Sequence, residues 1–160
     1  MLEPLITTGR SGGFCMDASI VKVLALAREG KAKYELWWWC VDEDEEVDAS
    51  TECREPRRRK PIAADQAQCL LEDLWFLSIP LKPQFLADGM SAEDGEWYWM
   101  TLGDWETGIT FRWRDKPPTA LEPIAHIAER LRELWGDDEE DTMAFIKEMY
   151  DEQRDESTGH

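Results

Sequence analysis

The stretch KYELWWWCV (residues 33–41) decides the fold of this chain. Aromatic residues favour β-strands, and the apolar run SIVKVLALAR (residues 19–28) precedes this stretch. Glu29-Gly30 lies between the two runs as a turn signal. The pattern therefore predicts a β-hairpin, although the first arm could instead be helical because Ala and Leu are strong helix formers.

Two further strands are predicted at residues 96–102 and 109–114, joined by the turn 103–108. Apolar residues at helical spacing predict a helix that opens at Pro61, a second that Thr119 caps and Gly136 ends, and an amphipathic segment at 142–154. We expect an α+β single domain, with an antiparallel sheet of about four strands (two hairpins) packed against two to three helices. Its domain map is residues 1–136, with an acidic loop at 42–60, followed by an acidic C-terminal helix and frayed tail at 137–160.

Side chains alternate between the two faces of a strand, which assigns the aromatic residues to faces. In the hairpin's second strand, the alternation separates Tyr34, Leu36, Trp38 and Cys40 from Glu35, Trp37, Trp39 and Val41. In the strand at 96–102 it separates Trp97, Trp99 and Thr101 from Tyr98, Met100 and Leu102. Both strands are apolar on both faces, so the face away from the helices is either covered by the last helix or the long loop, or exposed for partner recognition.

The formal net charge is −17, and nine of the 160 residues are tryptophan. Such a charge disfavours binding to nucleic acid and to anionic membranes, and it attracts cationic protein surfaces. Tryptophan is enriched in the hot spots of protein interfaces. The predicted partner-binding residues are therefore Trp37, Trp39, Asp42, Glu43, Asp44, Glu45, Glu46, Trp97, Trp99 and Trp105. The basic cluster at 57–60 follows seven acids within 42–52, which predicts a solvated, partly self-screened loop.

No residue pattern indicates catalysis. His126 falls one step off an apolar helix stripe, and no P-loop, G-x-S-x-G or C-x-x-C motif is present. We therefore predict no enzyme activity, no cofactor, no metal site, and thiols that are buried or idle. No apolar run reaches the roughly 18 residues of a membrane span, and the first residues do not have the pattern of a secretory signal, so the default location is cytoplasmic.

In the order of its elements, the chain is similar to the emfourin family of small bacterial proteins. The likeness lies in Ser11-Gly12-Gly13-Phe14, in Phe76-Leu77-Ser78-Ile79-Pro80 and in Asp94-Gly95-Glu96-Trp97-Tyr98 leading to Thr110-Phe111-Arg112-Trp113. It covers most of residues 10–134 in outline, while the acidic segments 42–60 and 137–160 depart from it. The resemblance implies a stoichiometric inhibitor of thermolysin-like metalloproteases.

Together these patterns predict a non-enzymatic acidic protein-binding protein, an inhibitor or immunity-type protein that occludes a partner enzyme or toxin. Its partner would present a basic surface. Two alternatives remain at this point: an acidic DNA mimic that blocks a nucleic-acid-binding protein, and a carboxylate-based enzyme or metal-binding protein.

Overall fold

The computed structural model of the protein describes residues 2–11, 20–42, 55–78, 96–103 and 107–159. Within these residues the chain forms six strands and three α-helices, which confirms the α+β class. The strands are β1 (Leu2–Ser11), β2 (Ile20–Glu29), β3 (Lys33–Asp42), β4 (Arg58–Ile62), β5 (Trp97–Leu102) and β6 (Ile109–Arg114). The helices are α1 (Ala64–Trp75), α2 (Glu122–Trp135) and α3 (Glu139–Thr158), with a 3-10 turn at Thr119–Leu121 before α2.

The described strands form one open sheet in the order β4-β3-β2-β1-β5-β6, and every neighbouring pair is antiparallel. Both predicted hairpins, β2–β3 and β5–β6, are present. The expectation of about four strands is wrong, because β1 and β4 also belong to the sheet.

Strand β1 lies in the middle of the sheet, between β2 and β5. Its sequence contains Pro4 and Gly9, two residue types that are depleted in strands. The register with β2 shifts between Pro4 and Ile6, and pairing with β5 begins only at Ile6. Pro4 therefore lies beyond the end of β5, where its missing N–H breaks no bond with that strand.

Strand β4 is the edge strand beside β3 and contains most of the basic cluster. Residues 57–61 are exposed, as predicted for a solvated segment, but the prediction of a loop followed by a helix at Pro61 is wrong, since residues 58–62 pair with β3 and α1 begins at Ala64. Charged residues and proline are what natural edge strands use to discourage pairing with other chains. The sequence pattern was therefore that of an edge strand, which resembles a loop in composition.

The three helices pack on one face of the sheet around the main core. That core contains Tyr34, Leu36, Trp38 and Cys40 from β3, and Tyr98, Met100 and Leu102 from β5 contact it. The alternation predicted for these two strands is thus confirmed. Helix α3 contributes Phe145 and Ile146 to the same core and remains helical to Thr158. The domain boundary proposed at residue 136 stays a prediction. No helix among the described residues is long and apolar enough to cross a membrane.

Candidate functional site: an acidic cleft beside the sheet edge

Four of the predicted partner-binding tryptophans, Trp37, Trp39, Trp97 and Trp99, belong to the strand faces that point away from the helices, and they differ in exposure. Trp39 is only 3% exposed and packs in a second, smaller core with Val21, Val23, Ala25 and Val41. Trp37 and Trp99 are half-buried against that cluster, whereas Trp97 is 47% exposed. Of the two alternatives left open for this face, exposure is therefore wrong for Trp39, whose side chain belongs to the core on the sheet's second face. For the other three residues the partner-binding role stays a prediction.

The structure describes only one of the remaining predicted site residues. Asp42 is the last residue of β3. Glu43, Asp44, Glu45, Glu46 and Trp105 lie outside the described residues.

Arginine side chains approach two of the accessible rings. The Arg59 guanidinium carbon lies 5.4 Å from the centroid of the Trp37 ring, and that of Arg114 lies 5.6 Å from the Trp97 ring. The indole N–H of Trp37 donates to the Glu35 carboxylate at 3.1 Å. Cations are attracted to the faces of indole rings, so these arginines already use part of the surface that a partner would contact.

Residues of the basic cluster form ion pairs and hydrogen bonds with helices α2 and α3. Arg57 pairs with Glu148 of α3 at 2.6 Å, and Arg58 pairs with Asp141 of the same helix at 2.7 Å. Lys60 donates to the carbonyl oxygens of Leu134 and Trp135, at 3.1 and 3.0 Å, where α2 ends. A cation at this position satisfies terminal carbonyls and interacts favourably with the helix dipole. These cations are thus engaged within the protein, which argues against a nucleic-acid patch.

A cleft of about 430 Å³ lies between the end of β3 and helix α3. Its lining combines apolar groups with carboxylates: Trp39, Val41, Phe145 and Met149, together with Glu55, Glu148, Glu152 and Glu156. Three of these acids recur every four residues along α3, a spacing that places them on one face of the helix. The cleft therefore has an apolar wall beside a row of negative charge.

Helix α3 carries this charge well beyond the cleft. Between Glu139 and Thr158 it has eight acidic residues and two basic ones, Lys147 and Arg154. The four-residue spacing of Glu148, Glu152 and Glu156 is visible in the sequence, which predicts an amphipathic segment at 142–154 and a frayed tail after it. The site residues predicted from the sequence are the acids that follow β3, and the acids of α3 are not among them.

Arg57 shows how a cation occupies this cleft. Its guanidinium carbon lies 4.5 Å from the centroid of the Phe145 ring while Nη1 contacts Glu148. Cys40 also lines the cleft, and burial raises the pKa of its thiol to about 12. A thiol with that pKa is protonated at neutral pH and is a poor nucleophile.

The residues with ordinary catalytic potential do not converge on the cleft. His126 is exposed on α2, and Ser11 is buried at the end of β1. Within the described ranges, no group of three or more His, Cys, Asp or Glu side chains is arranged to hold a metal ion. The two described cysteines, Cys40 and Cys69, are free thiols. A scan of protein-family models, a search of curated proteins and a search of solved structures each found no match to this chain.

Proposed function

We propose that this chain is a non-enzymatic binding protein that receives a cationic segment of a partner protein in the cleft beside α3. The observation that carries the proposal is the composition of the cleft, where an apolar wall of Phe145 and Met149 meets the row Glu148, Glu152 and Glu156. Arginine and lysine side chains combine an apolar stem with a charged head, so they suit a surface of this composition.

The contact of Arg57 supports an arginine-bearing partner. Its guanidinium already lies between the Phe145 ring and Glu148, while Glu152 and Glu156 continue the same row toward the end of α3. A partner arginine would find further carboxylates one or two turns along the helix, in a cleft whose apolar lining includes Val41 and Met149.

An inhibitor or immunity-type protein is the form of this function that we favour. Binding that occludes a basic site on an enzyme or toxin needs no catalytic group, and a net charge of −17 accelerates encounter with such a surface. The resemblance to emfourins implies a thermolysin-like metalloprotease as the target. A cytoplasmic location is part of the same proposal.

A fluorescent peptide of alternating arginine and leucine provides a direct probe of the cleft. The triple variant Glu148→Gln, Glu152→Gln, Glu156→Gln removes three charges from the lining. The matched control Glu140→Gln, Asp151→Asn, Asp155→Asn removes three charges from the same helix at exposed residues outside the lining. We expect the first variant to weaken peptide binding at least tenfold and the control to weaken it about twofold, measured by fluorescence anisotropy at 0.15 M salt.

Equal losses in the two variants would show that the peptide responds only to total charge, and the cleft would then not be a binding site. A parallel assay tests the inhibitor form of the proposal. Titrating a thermolysin-like metalloprotease with the wild-type chain should abolish activity at a one-to-one ratio, and the cleft variant should do so less effectively. Undiminished protease activity would exclude this target class.

The partner-binding residues predicted from the sequence can be tested by kinetics, because the acids should act on the association rate and the tryptophan on the dissociation rate. Neutralising Asp42, Glu43, Asp44, Glu45 and Glu46 should slow association and flatten its salt dependence, because long-range charge acts on encounter. Trp37→Ala should instead raise the dissociation rate. If both changes leave the kinetics unaltered while the cleft variant does not, binding uses α3 and not the end of β3.

A further inference from the structure

A second cavity, of about 240 Å³, lies on the helix-covered face of the sheet, where β1 and β2 meet the junction between α2 and α3. Its charged lining residues include Arg10, Lys22 and Arg132, three cations in a strongly acidic protein, together with Asp137 and Asp138. The cavity is separate from the cleft at the end of β3, and no residue lines both.

One of the three cations is neutralised within the protein. Lys22 pairs with Asp138 at 3.2 Å, and the other carboxylate oxygen of Asp138 accepts a hydrogen bond from the indole N–H of Trp38 at 3.3 Å. Asp138 is thereby committed to two partners. Asp137, the other carboxylate of the lining, accepts a hydrogen bond from the backbone N–H of Glu139 at 2.9 Å. Among the described residues neither aspartate forms an ion pair with Arg10 or Arg132.

The two arginines have no carboxylate partner in the part of the chain that the structure describes. Arg10 forms neither a hydrogen bond nor an ion pair there, and the guanidinium carbon of Arg132 lies 5.3 Å from the centroid of the Tyr98 ring. Burial, and after it the charge of Arg10, lower the pKa of Arg132. Glu129 and Glu96 act on Arg132 in the opposite direction, but neither forms an ion pair with it. Both arginines line this one cavity, and two like charges placed close together disfavour each other's charged form.

The remaining lining gives the cavity an apolar wall. Trp38 and Trp135 stack with 6.4 Å between ring centroids and 14° between ring planes. Drug-sized ligands occupy pockets of roughly 300–1,000 Å³, so this smaller space fits a small anion or the anionic end of a longer molecule. Guanidinium groups bind carboxylate and phosphate oxygens in a two-pronged geometry that lysine cannot offer.

We propose that this cavity is a binding site for a small ligand bearing a phosphate or carboxylate group, which Arg10 and Arg132 hold between them. The oxyanion replaces the missing counter-charge, and the rest of the ligand lies against the indoles of Trp38 and Trp135. The site is independent of the cationic-partner cleft, because it selects ligands of the opposite charge at another place on the molecule.

Inorganic phosphate and acetate are the probes, each titrated against sodium chloride at constant ionic strength. We expect the indole N–H signals of Trp38 and Trp135 to shift with one or both oxyanions in nitrogen-15 NMR spectra, and not with chloride. The anion that binds more tightly identifies the ligand chemistry. Arg10→Gln and Arg132→Gln should each weaken that binding at least tenfold, whereas the matched control Lys31→Gln, which removes an exposed cation at the β2–β3 turn, should leave it unchanged.

The melting temperature measured without an oxyanion distinguishes a loss of ligand binding from a loss of folding stability. Because Arg10 contributes repulsion and no hydrogen bond, Arg10→Gln should keep or raise the melting temperature in chloride, yet lose the extra stabilisation that the wild-type protein gains from the oxyanion. Identical spectra and melting temperatures in phosphate, acetate and chloride would overturn the proposal. So would an Arg10→Gln variant that binds as the wild-type chain does. If Arg132→Gln does not fold, Arg10→Gln and the wild-type titration decide the question.

Discussion

The indole of Trp99 fills the space beside Gly9 on the neighbouring strand: a β-carbon built on Gly9 would lie 2.2 Å from the Cε2 atom of Trp99. The two residues are directly paired in the β1–β5 register. An aromatic ring can occupy that space only because glycine has no side chain there. The pair thus explains why a residue that normally weakens strands is found in the middle of a central one.

Gly9→Ala should lower the free energy of unfolding by about 1–3 kcal/mol, because the added methyl group collides with a ring that is packed against the second core. Chemical denaturation measures the loss. In a double-mutant cycle the same substitution should cost much less in a Trp99→Ala background, where the collision is absent. Additive effects of the two changes would contradict the packing described for this pair.

Gly136→Ala should destabilise the protein through its backbone alone. Gly136 joins α2 to α3 with φ 92° and ψ −155°, a conformation that only glycine adopts readily, and a β-carbon there would meet no atom within 4 Å. We expect a loss of about 1–3 kcal/mol in the free energy of unfolding. Gly159→Ala is the matched control, since Gly159 has φ −80° and should tolerate alanine within about 0.5 kcal/mol. Equal effects at the two positions would refute the conformational explanation.

The thiol of Cys40 should make stability fall in alkaline solution. Its folded-state pKa is raised from 9.0 to about 12 by burial, so above pH 9 the unfolded chain releases this proton while the folded chain keeps it. The free energy of unfolding therefore decreases as the pH rises from 9 toward 12, by about 1.4 kcal/mol for each tenfold gap between the two ionisation constants. Denaturation of the wild type and of Cys40→Ala across this range measures the effect, and the variant should show the shallower slope. Parallel slopes would mean that Cys40 does not contribute.

The reactivity of Cys69 can be compared with that of Cys40 in the folded protein. It is an exposed free thiol on α1, whereas Cys40 is a buried one. At neutral pH, iodoacetamide should label Cys69 much faster than Cys40, as mass spectrometry of digested samples would show. Comparable labelling rates would indicate that the end of β3 opens readily.

Lys60→Gln should cost about 1 kcal/mol, because it removes the cation that binds the last carbonyl groups of α2. The exposed Lys31, which makes no comparable contact, provides the control Lys31→Gln, with an expected change below about 0.5 kcal/mol. The loss at Lys60 should shrink in 1 M salt, since screening weakens the charge–dipole part of the interaction. A loss that does not depend on salt would assign the contribution to packing of the side-chain stem.

The hairpins could be predicted because the residue pattern that specifies them lies within short, neighbouring segments of the chain. Alternation along β3 and β5 identified the residues that face the helices, and that assignment required only the period of a strand. Strand β4 was missed because an edge strand with three cations and Pro61 has the composition of a loop. The burial of Trp39 could not be read from β3 alone, since it depends on Val21 and Val23 of the paired strand.

For the candidate site, the sequence predicted the types of residue involved but not their positions. Acid beside aromatic surface was predicted at the end of β3, where residues 43–46 lie outside the described ones; among the described residues, such groups meet where α3 lines the cleft. The cleft is lined by both Val41 and Met149, and Arg57 contacts Glu148; the members of each pair are about a hundred residues apart, so their proximity arises from tertiary packing. The Arg10–Arg132 pair is separated by a similar stretch of chain and left no signal in the sequence.

The central position of β1 has a consequence for how the chain is made. On the ribosome, β1 and β2 emerge one after the other and can pair at once. The strand on the other side of β1 follows about 90 residues later, since Thr8 bonds to Trp99, which is 91 residues further along the chain. At roughly 5–20 residues per second, some 5–20 seconds pass before β5 is synthesised. Throughout that interval one side of β1 has unpaired backbone groups, and another nascent chain could pair with it. Slower translation or crowded polysomes should therefore raise the yield of aggregated product, and a chaperone that covers extended segments should lower it.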